Sequence, residues 1–173
     1  MEEHNTKDGA NGTLLDANAF WNFASHLYAD PEIAGACLHL QDACGARVNL
    51  LLLGLWLAHH QVVASDPAAL AQRAVDWHHQ LVIPLRGLRR ALKAAAQSDA
   101  EVAALRAQIQ TAELAGERIE QRWLLVDLAV DPAADTRWLK SQLRQWSGAE
   151  ADADVKAVHA LVTAFSRIET KTK

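Results

Sequence analysis

The chain of 173 residues carries only two cysteines, four prolines, three phenylalanines and one tyrosine. Two cysteines are too few for a disulfide framework. Cys37 and Cys44 lie two turns apart on one expected helix, at roughly 10 Å by helix rise, so they cannot be bridged without unwinding it. They read as small buried hydrophobes of a cytoplasmic protein. Long apolar runs are also missing. The longest, residues 50–58, is far short of the ~20 residues that a membrane span needs, and the opening MEEHNTKDGANGT lacks the apolar segment of a signal peptide. Neither sign of charge dominates. A formal net charge of -4 supplies no overall attraction to nucleic acid or anionic lipid. β-Branched residues never alternate with polar ones for long enough to mark a strand.

What is present is helical material. Half the residues are hydrophobic and 22% charged, which is the balance of a globular domain rather than a disordered chain. Alanine and leucine dominate, and both lose little freedom in a helix. The densest apolar stretch runs over residues 20–60. A first helix is expected over residues 16–29. Asp30-Pro31 then caps and starts a second, which Gly45 ends. A third, over residues 48–61, is apolar nearly all round and so belongs at the centre of a bundle.

Asp66-Pro67 repeats the cap-plus-proline device. It predicts a long helix to about residue 96, kinked near residues 80–84 by Pro84. Ser98 and Glu101 read as a capping box for the next helix. Along that helix Val102, Leu105, Ile109, Ala112, Gly116, Ile119, Trp123 and Val126 recur at three- and four-residue spacing, and predict its buried seam. The two long helices should pack as an antiparallel hairpin. After Asp131-Pro132 come a short helix with Trp138, Leu139, Leu143 and Trp146, ending near Gly148, and a last one over residues 153–168. The expected fold is therefore an all-α, single-domain bundle of six or seven helices, with a long kinked antiparallel hairpin around a buried central helix. Residues 1–13 and 169–173 read as loose tails around a domain over 14–168, whose residues 130–168 form a helical extension of a 14–129 core.

Four groups of residues could carry function. The pairs His59-His60 and His78-His79 could approach each other, with Glu117 or Asp76 as further ligands, but they lack any recognised metal-binding spacing. No metal and no cofactor is expected. Arg86, Arg89, Arg90 and Lys93 form a basic stripe facing Glu113, Glu117 and Glu120 of the partner helix, and at least one of Arg86 and Arg90 should pair with a glutamate. Gln41, Asp42 and Asn49 sit around Gly45 and Arg47 inside the apolar stretch. There Gln41 should be buried and bonded to Asn49 or to backbone of the Gly45 turn. Trp138, with Leu139 or Trp146, could present a surface to a partner.

The segments FWNFASHLY, ACLHLQDACGARVNLLLLGLWLA, WHHQLVIPLRGLRRALK and AELAGERIEQ resemble an uncharacterised family of small proteobacterial proteins, the domain of unknown function 2390. The resemblance covers about residues 19–126, and LQD-x-x-G-x-x-VNLLL with PLR-x-LR is its specific part. It implies a bacterial cytoplasmic protein and no known activity. No nucleophile elbow, phosphate loop or dinucleotide fingerprint stands in the sequence. The expected function is non-catalytic binding of a partner protein or small ligand, with self-association compatible. The alternative is a small-molecule enzyme working in a polar pocket inside the bundle. Gln41, Asp42, Asn49, Arg86, Arg90, Glu113 and Glu117 are the candidate site, and Trp138, Leu139 and Trp146 the candidate interface.

Overall fold

Aspartate caps set four of the helix starts. The computed structural model describes residues 13–172; residues 1–12 of the expected N-terminal tail, and Lys173, lie outside it. Asp16 accepts from the N–H groups of Asn18 and Ala19 and opens α1, Ala17–Tyr28. Asp30 does the same for α2, Pro31–Cys44, whose proline stands at the first helical position, where a missing N–H costs nothing. Gly45 ends α2 at φ 68°, a left-handed conformation that glycine adopts without strain. The helix α3, Val48–His59, buries every residue from Asn49 to Ala58. It is touched by α1, α2 and three later helices, which is why its sequence has no polar face.

Past α3 the structure departs from the sequence reading in five places. First, a short antiparallel pair, β1 (Val62–Ala64) with β2 (Val130–Pro132), ties the two halves of the chain where no strand was expected. Three residues leave no room for the alternation that marks a strand. Second, the long helix predicted over residues 66–96 is broken. Asp66 caps α4, Pro67–Gln72, but Arg73 is extended and Ala74 left-handed at φ 58° before α5, Val75–Trp77. Arginine side chains hold the break open: Arg47 donates to the carbonyls of Ala71 and Arg73, and Arg73 donates to those of Leu124 and Val126. The expected disturbance near Pro84 is a π-helical turn, His78–Val82, leading into α6, Ile83–Ala91. A wider turn accommodates a proline that has no N–H to return.

Third, a 3-10 turn, Ala95–Gln97, closes the hairpin, and the cap of α7, Ala100–Leu125, is Asp99 rather than Ser98. The Ser98 hydroxyl bonds back to the Ala95 carbonyl instead. Fourth, α7 is rotated from its predicted seam. Its buried residues are Glu113, Gly116, Glu120, Gln121, Leu124 and Leu125, while Leu105 and Val126 are about half exposed, at 48% and 52%. The distal part of the hairpin has a single layer of neighbours, so its apolar stripe is only half covered. Nearer the core, α7 turns a polar face inward.

The two C-terminal helices complete the core rather than trail from it. α8, Arg137–Ser147, lies on α3 at Gly54, where a Cβ would meet Leu143 Cδ2 at 2.8 Å, Trp146 Cζ3 at 3.3 Å and Leu139 Cδ1 at 3.5 Å. α9, Asp152–Thr172, runs along α2 and adds Val158, Leu161, Ala164 and Phe165 to the same apolar cluster as α3. The fifth departure is here: helix continues through residues 169–172, where a frayed tail was expected, and Glu169 reaches His59 at 2.9 Å. The result is an all-α single-domain bundle. No helix among the described residues is long and apolar enough to cross a membrane.

Candidate functional site: a polar cavity between hairpin and core

The first turn of α3 carries polar residues into the interior because the whole helix is buried. Arg47, its N-cap, is 8% exposed and Asn49 7%. Both meet Glu120 of α7, which is completely buried. Arg47 Nε donates to Glu120 Oε1 at 3.0 Å; Asn49 Nδ2 donates to Oε2 at 2.8 Å, and His78 Nδ1, from the π turn, lies 3.2 Å from the same oxygen. Burial would raise the Glu120 carboxyl. Its bond with His78, the Asn49 amide and the charge of Arg47 outweigh burial and hold it below the ordinary carboxylate range.

That carboxylate fixes the orientation of two amides in sequence. A carboxylate only accepts, so Asn49 must present its NH2 to Glu120, and the same NH2 also bonds the Glu117 carbonyl at 3.2 Å. Asn49 Oδ1 is then left to accept from Gln121 Nε2, at 2.9 Å. By elimination the Gln121 oxygen is turned away from this chain of bonds. Gln121 is 2% exposed, and its Oε1 has no partner among the described residues. An unsatisfied buried acceptor of this kind costs about 1–3 kcal/mol.

Gln121 and Asn49 line a cavity of about 380 Å³ between α1, α2, α3 and the hairpin. Its apolar lining includes Ala24, Val48 and Leu52, with the rings of Trp21 and Tyr28; burial pushes the Tyr28 hydroxyl up to about 12. Its charged wall is an ion-pair network across the hairpin. Arg86 donates to Glu113 at 3.0 Å and to Glu117 at 2.7 Å, and Arg89 grips Glu113 with both Nε and Nη2, at 2.5 and 3.2 Å. Arg90, at the edge, bonds Asp42 of α2 at 2.8 Å. The two adjacent glutamates respond oppositely. For Glu113 burial raises the carboxyl, but the hydrogen bonds from Arg89 and Arg86 outweigh it and leave it lowered. For Glu117 burial dominates; the single arginine does not offset it, the charges of Glu113 and Glu120 add to it, and the carboxyl is raised.

The candidate residues from sequence thus fall in one region, in changed roles. Arg86, Arg90, Glu113, Glu117 and Asn49 all line the cavity, and Asp42 is reached through Arg90. Gln41 is a correction: it is half-buried on the cavity wall, and its side chain bonds Asp42 at 3.4 Å rather than Asn49, whose amide is already committed. Glu120 turns to Arg47 and His78, not to the hairpin arginines. His78 is absorbed by that cluster, so the two histidine pairs do not converge, and no group of three or more metal-ligating side chains stands among the described residues. Gln121 had no place in the sequence reading, because a glutamine near the end of a charged helix looks like surface. The signal that finds it is indirect: any helix face meeting the polar first turn of α3 has to be polar.

The proposed tryptophan surface is corrected at Leu139, which is fully buried against α3 and presents nothing outward. Trp146 is half-buried and donates to the Pro67 carbonyl at 3.1 Å, joining α8 to α4. Trp138 is half-buried, with an indole N–H that is shielded and unpartnered.

An all-helical single domain holding a polar cavity beneath a helical hairpin is the class that fold and site define. Residues 19–124 match the model of a protein family of unknown function, DUF2390, and the chain belongs to that family. No curated protein and no solved structure matches it. The matched segment contains every residue of the cavity lining and of the Glu120 cluster, whereas α8 and α9 lie beyond it.

Proposed function

We propose that this is a non-catalytic binding protein that holds a small organic ligand in the cavity between the hairpin and α1–α3. The observation that carries this reading is the cavity itself, about 380 Å³, walled on one side by the Arg86, Arg89, Glu113 and Glu117 ion pairs and on the other by apolar residues. Hydrogen-bonding capacity stays free on that wall: Glu117 accepts only at Oε1, and Arg86 Nη1 has no hydrogen-bond partner among the described residues. A few polar groups converging on an apolar lining are what a ligand pocket offers. The cavity volume lies at the small end of the range for ligand pockets, which fits a metabolite better than a macromolecule. The free cysteines, Cys37 buried and Cys44 half-buried, and the sequence traits above support placing the protein in the bacterial cytoplasm.

The test is extraction. The protein is purified under native conditions, denatured, and its small-molecule content measured by mass spectrometry beside that of a Leu114→Trp variant, which fills the cavity from a half-exposed wall position. One compound enriched in the parent and depleted in the variant is expected. Equal content in both overturns the reading. A second reading, an enzyme using Glu117 as a general acid, is favoured by the raised carboxyl at the cavity. It requires that the extracted compound be turned over, and that Glu117→Gln abolish turnover.

A further inference from the structure

Taking the cavity to be a small-ligand site, we infer that its ligand is a singly charged carboxylate on an apolar body, aromatic or branched aliphatic. Among the ionised residues of the lining, the spare hydrogen-bonding capacity is on the donor side. Arg86, Arg89 and Arg90 stand at three- and four-residue spacing on α6 and so share one face. Arg86 and Arg89 each bond through Nε and Nη2, which leaves both Nη1 groups without a hydrogen-bond partner among the described residues. Unlike the Gln121 oxygen, which is sealed off, neither Nη1 is fully buried. Arg90 uses only Nη2, on Asp42. On the acceptor side both oxygens of Glu113 are occupied, and Glu117 has one left. The Tyr28 hydroxyl adds another donor. Burial pushes it up to about 12 and so keeps it protonated, and it stands where the charges of Glu117 and Arg86 act on it.

Charge narrows the class. The lining sets three guanidinium groups against two carboxylates, Glu113 and Glu117. Asp42, the partner of Arg90, stands outside the lining, and both members of that pair are half-exposed, where water screens an ion pair and leaves it worth little. A carboxylate brings the single negative charge that this lining lacks, with two oxygens in the geometry that guanidinium groups grip. A cation would add to the excess. A phosphate monoester, at about −1.5 to −2 near neutral pH, would overshoot it beside two glutamates. The raised Glu117 carboxyl agrees: a neighbouring anion raises it further, and the protonated group donates to the ligand instead of repelling it. The apolar body follows from Ala24, Val48 and Leu52 and the ring of Trp21.

The experiment is a calorimetric titration of the full chain at neutral pH with 3-phenylpropionate and 4-methylpentanoate, beside the amide of each acid, phenethylamine and phenethyl phosphate. Saturable binding of the acids is expected, with the amides, the amine and the phosphate each weaker by about ten-fold or more, the worth of a hydrogen bond to a charged group. Arg90→Gln, at a half-exposed position, should weaken the acids several-fold and leave the amides as they were. Leu114→Trp, which fills the cavity from its wall, should weaken the acids about ten-fold or more. Absence of saturable binding by both acids overturns the inference, as does unchanged affinity for them in Leu114→Trp or in Arg90→Gln. Equal or tighter binding of an amide, the amine or the phosphate overturns the carboxylate class while leaving the cavity reading intact. That reading fails separately, when the extracted ligand content of parent and Leu114→Trp protein is the same.

Discussion

Glu120→Gln is the sharpest perturbation of this architecture, because it removes a charge while leaving the shape of the side chain. The carboxylate is fully buried and accepts from Arg47, Asn49 and His78. The amide has one accepting oxygen instead of two, and its NH2 must face a donor on at least one side. Breaking a buried ion pair by removing one partner typically costs about 3–5 kcal/mol. Arg47 keeps its bonds to the carbonyls of Ala71 and Arg73, so its charge is not wholly abandoned. That argues for the lower end, ~3 kcal/mol. The assay is urea unfolding, where a slope of roughly 1–3 kcal/mol per molar turns such a loss into a midpoint shift of at least about 1 M. The pH dependence supplies an independent check. The folded Glu120 carboxyl lies below its unfolded value, so its stabilisation is complete above the ordinary carboxylate range and is lost as pH falls through the folded value. Glu120→Gln should therefore lose less stability than the parent on acidification. A cost below 1 kcal/mol, or an acid profile identical to the parent's, would refute the claim that this carboxylate organises the interior.

Other expectations can be checked on the same preparations. Gly54→Ala gains helix propensity of about 1 kcal/mol but drives a Cβ to 2.8 Å from Leu143; overpacking of ~1–3 kcal/mol should win, lowering the melting temperature, and Leu143→Ala in the same chain should cost less than in the parent. Gln61 ends α3 at φ 56°, a conformation that glycine adopts freely, so Gln61→Gly should stabilise by ~0.5–1 kcal/mol in thermal unfolding. Burial pushes the Cys37 thiol up to about 12 and raises that of Cys44, so an aromatic disulfide reagent at pH 8 should label Cys37 only at the rate of global opening. Rapid labelling of both thiols in native buffer would contradict their placement.

Much of the fold was legible because its punctuation is local. Asp30-Pro31, Asp66-Pro67 and the Gly45 and Gly148 terminators each act within one turn, and the structure has helix boundaries at all four. The uniform apolarity of α3 sufficed to place it at the centre, since nothing but surrounding helices satisfies ten consecutive buried residues. The break at Arg73-Ala74 was not legible. Neither residue is a helix breaker, and the carbonyls it frees, those of Ala71 and Arg73, are satisfied by Arg47, 24 and 26 positions away in the chain. Local propensity cannot register a partner at that range.

The rotation of α7 has the same cause and explains why the site was only partly readable. Periodicity detects apolar residues, and those of residues 102–126 recur cleanly. Yet the face that enters the core is chosen by what α3 presents to it, which is Arg47 and Asn49. Those two are buried because they begin a helix that is buried without a break from Asn49 to Ala58. Glu120 and Gln121 are consequently interior, although on their own helix they read as solvated. The sequence does carry one further step: a helix with no polar face has no exposed first turn, so its polar residues require polar partners, and the facing helix must supply them. Following that step leads from Asn49 to a carboxylate, from the carboxylate to the forced orientation of two amides, and from the second amide to the unpaired oxygen buried behind the cavity wall.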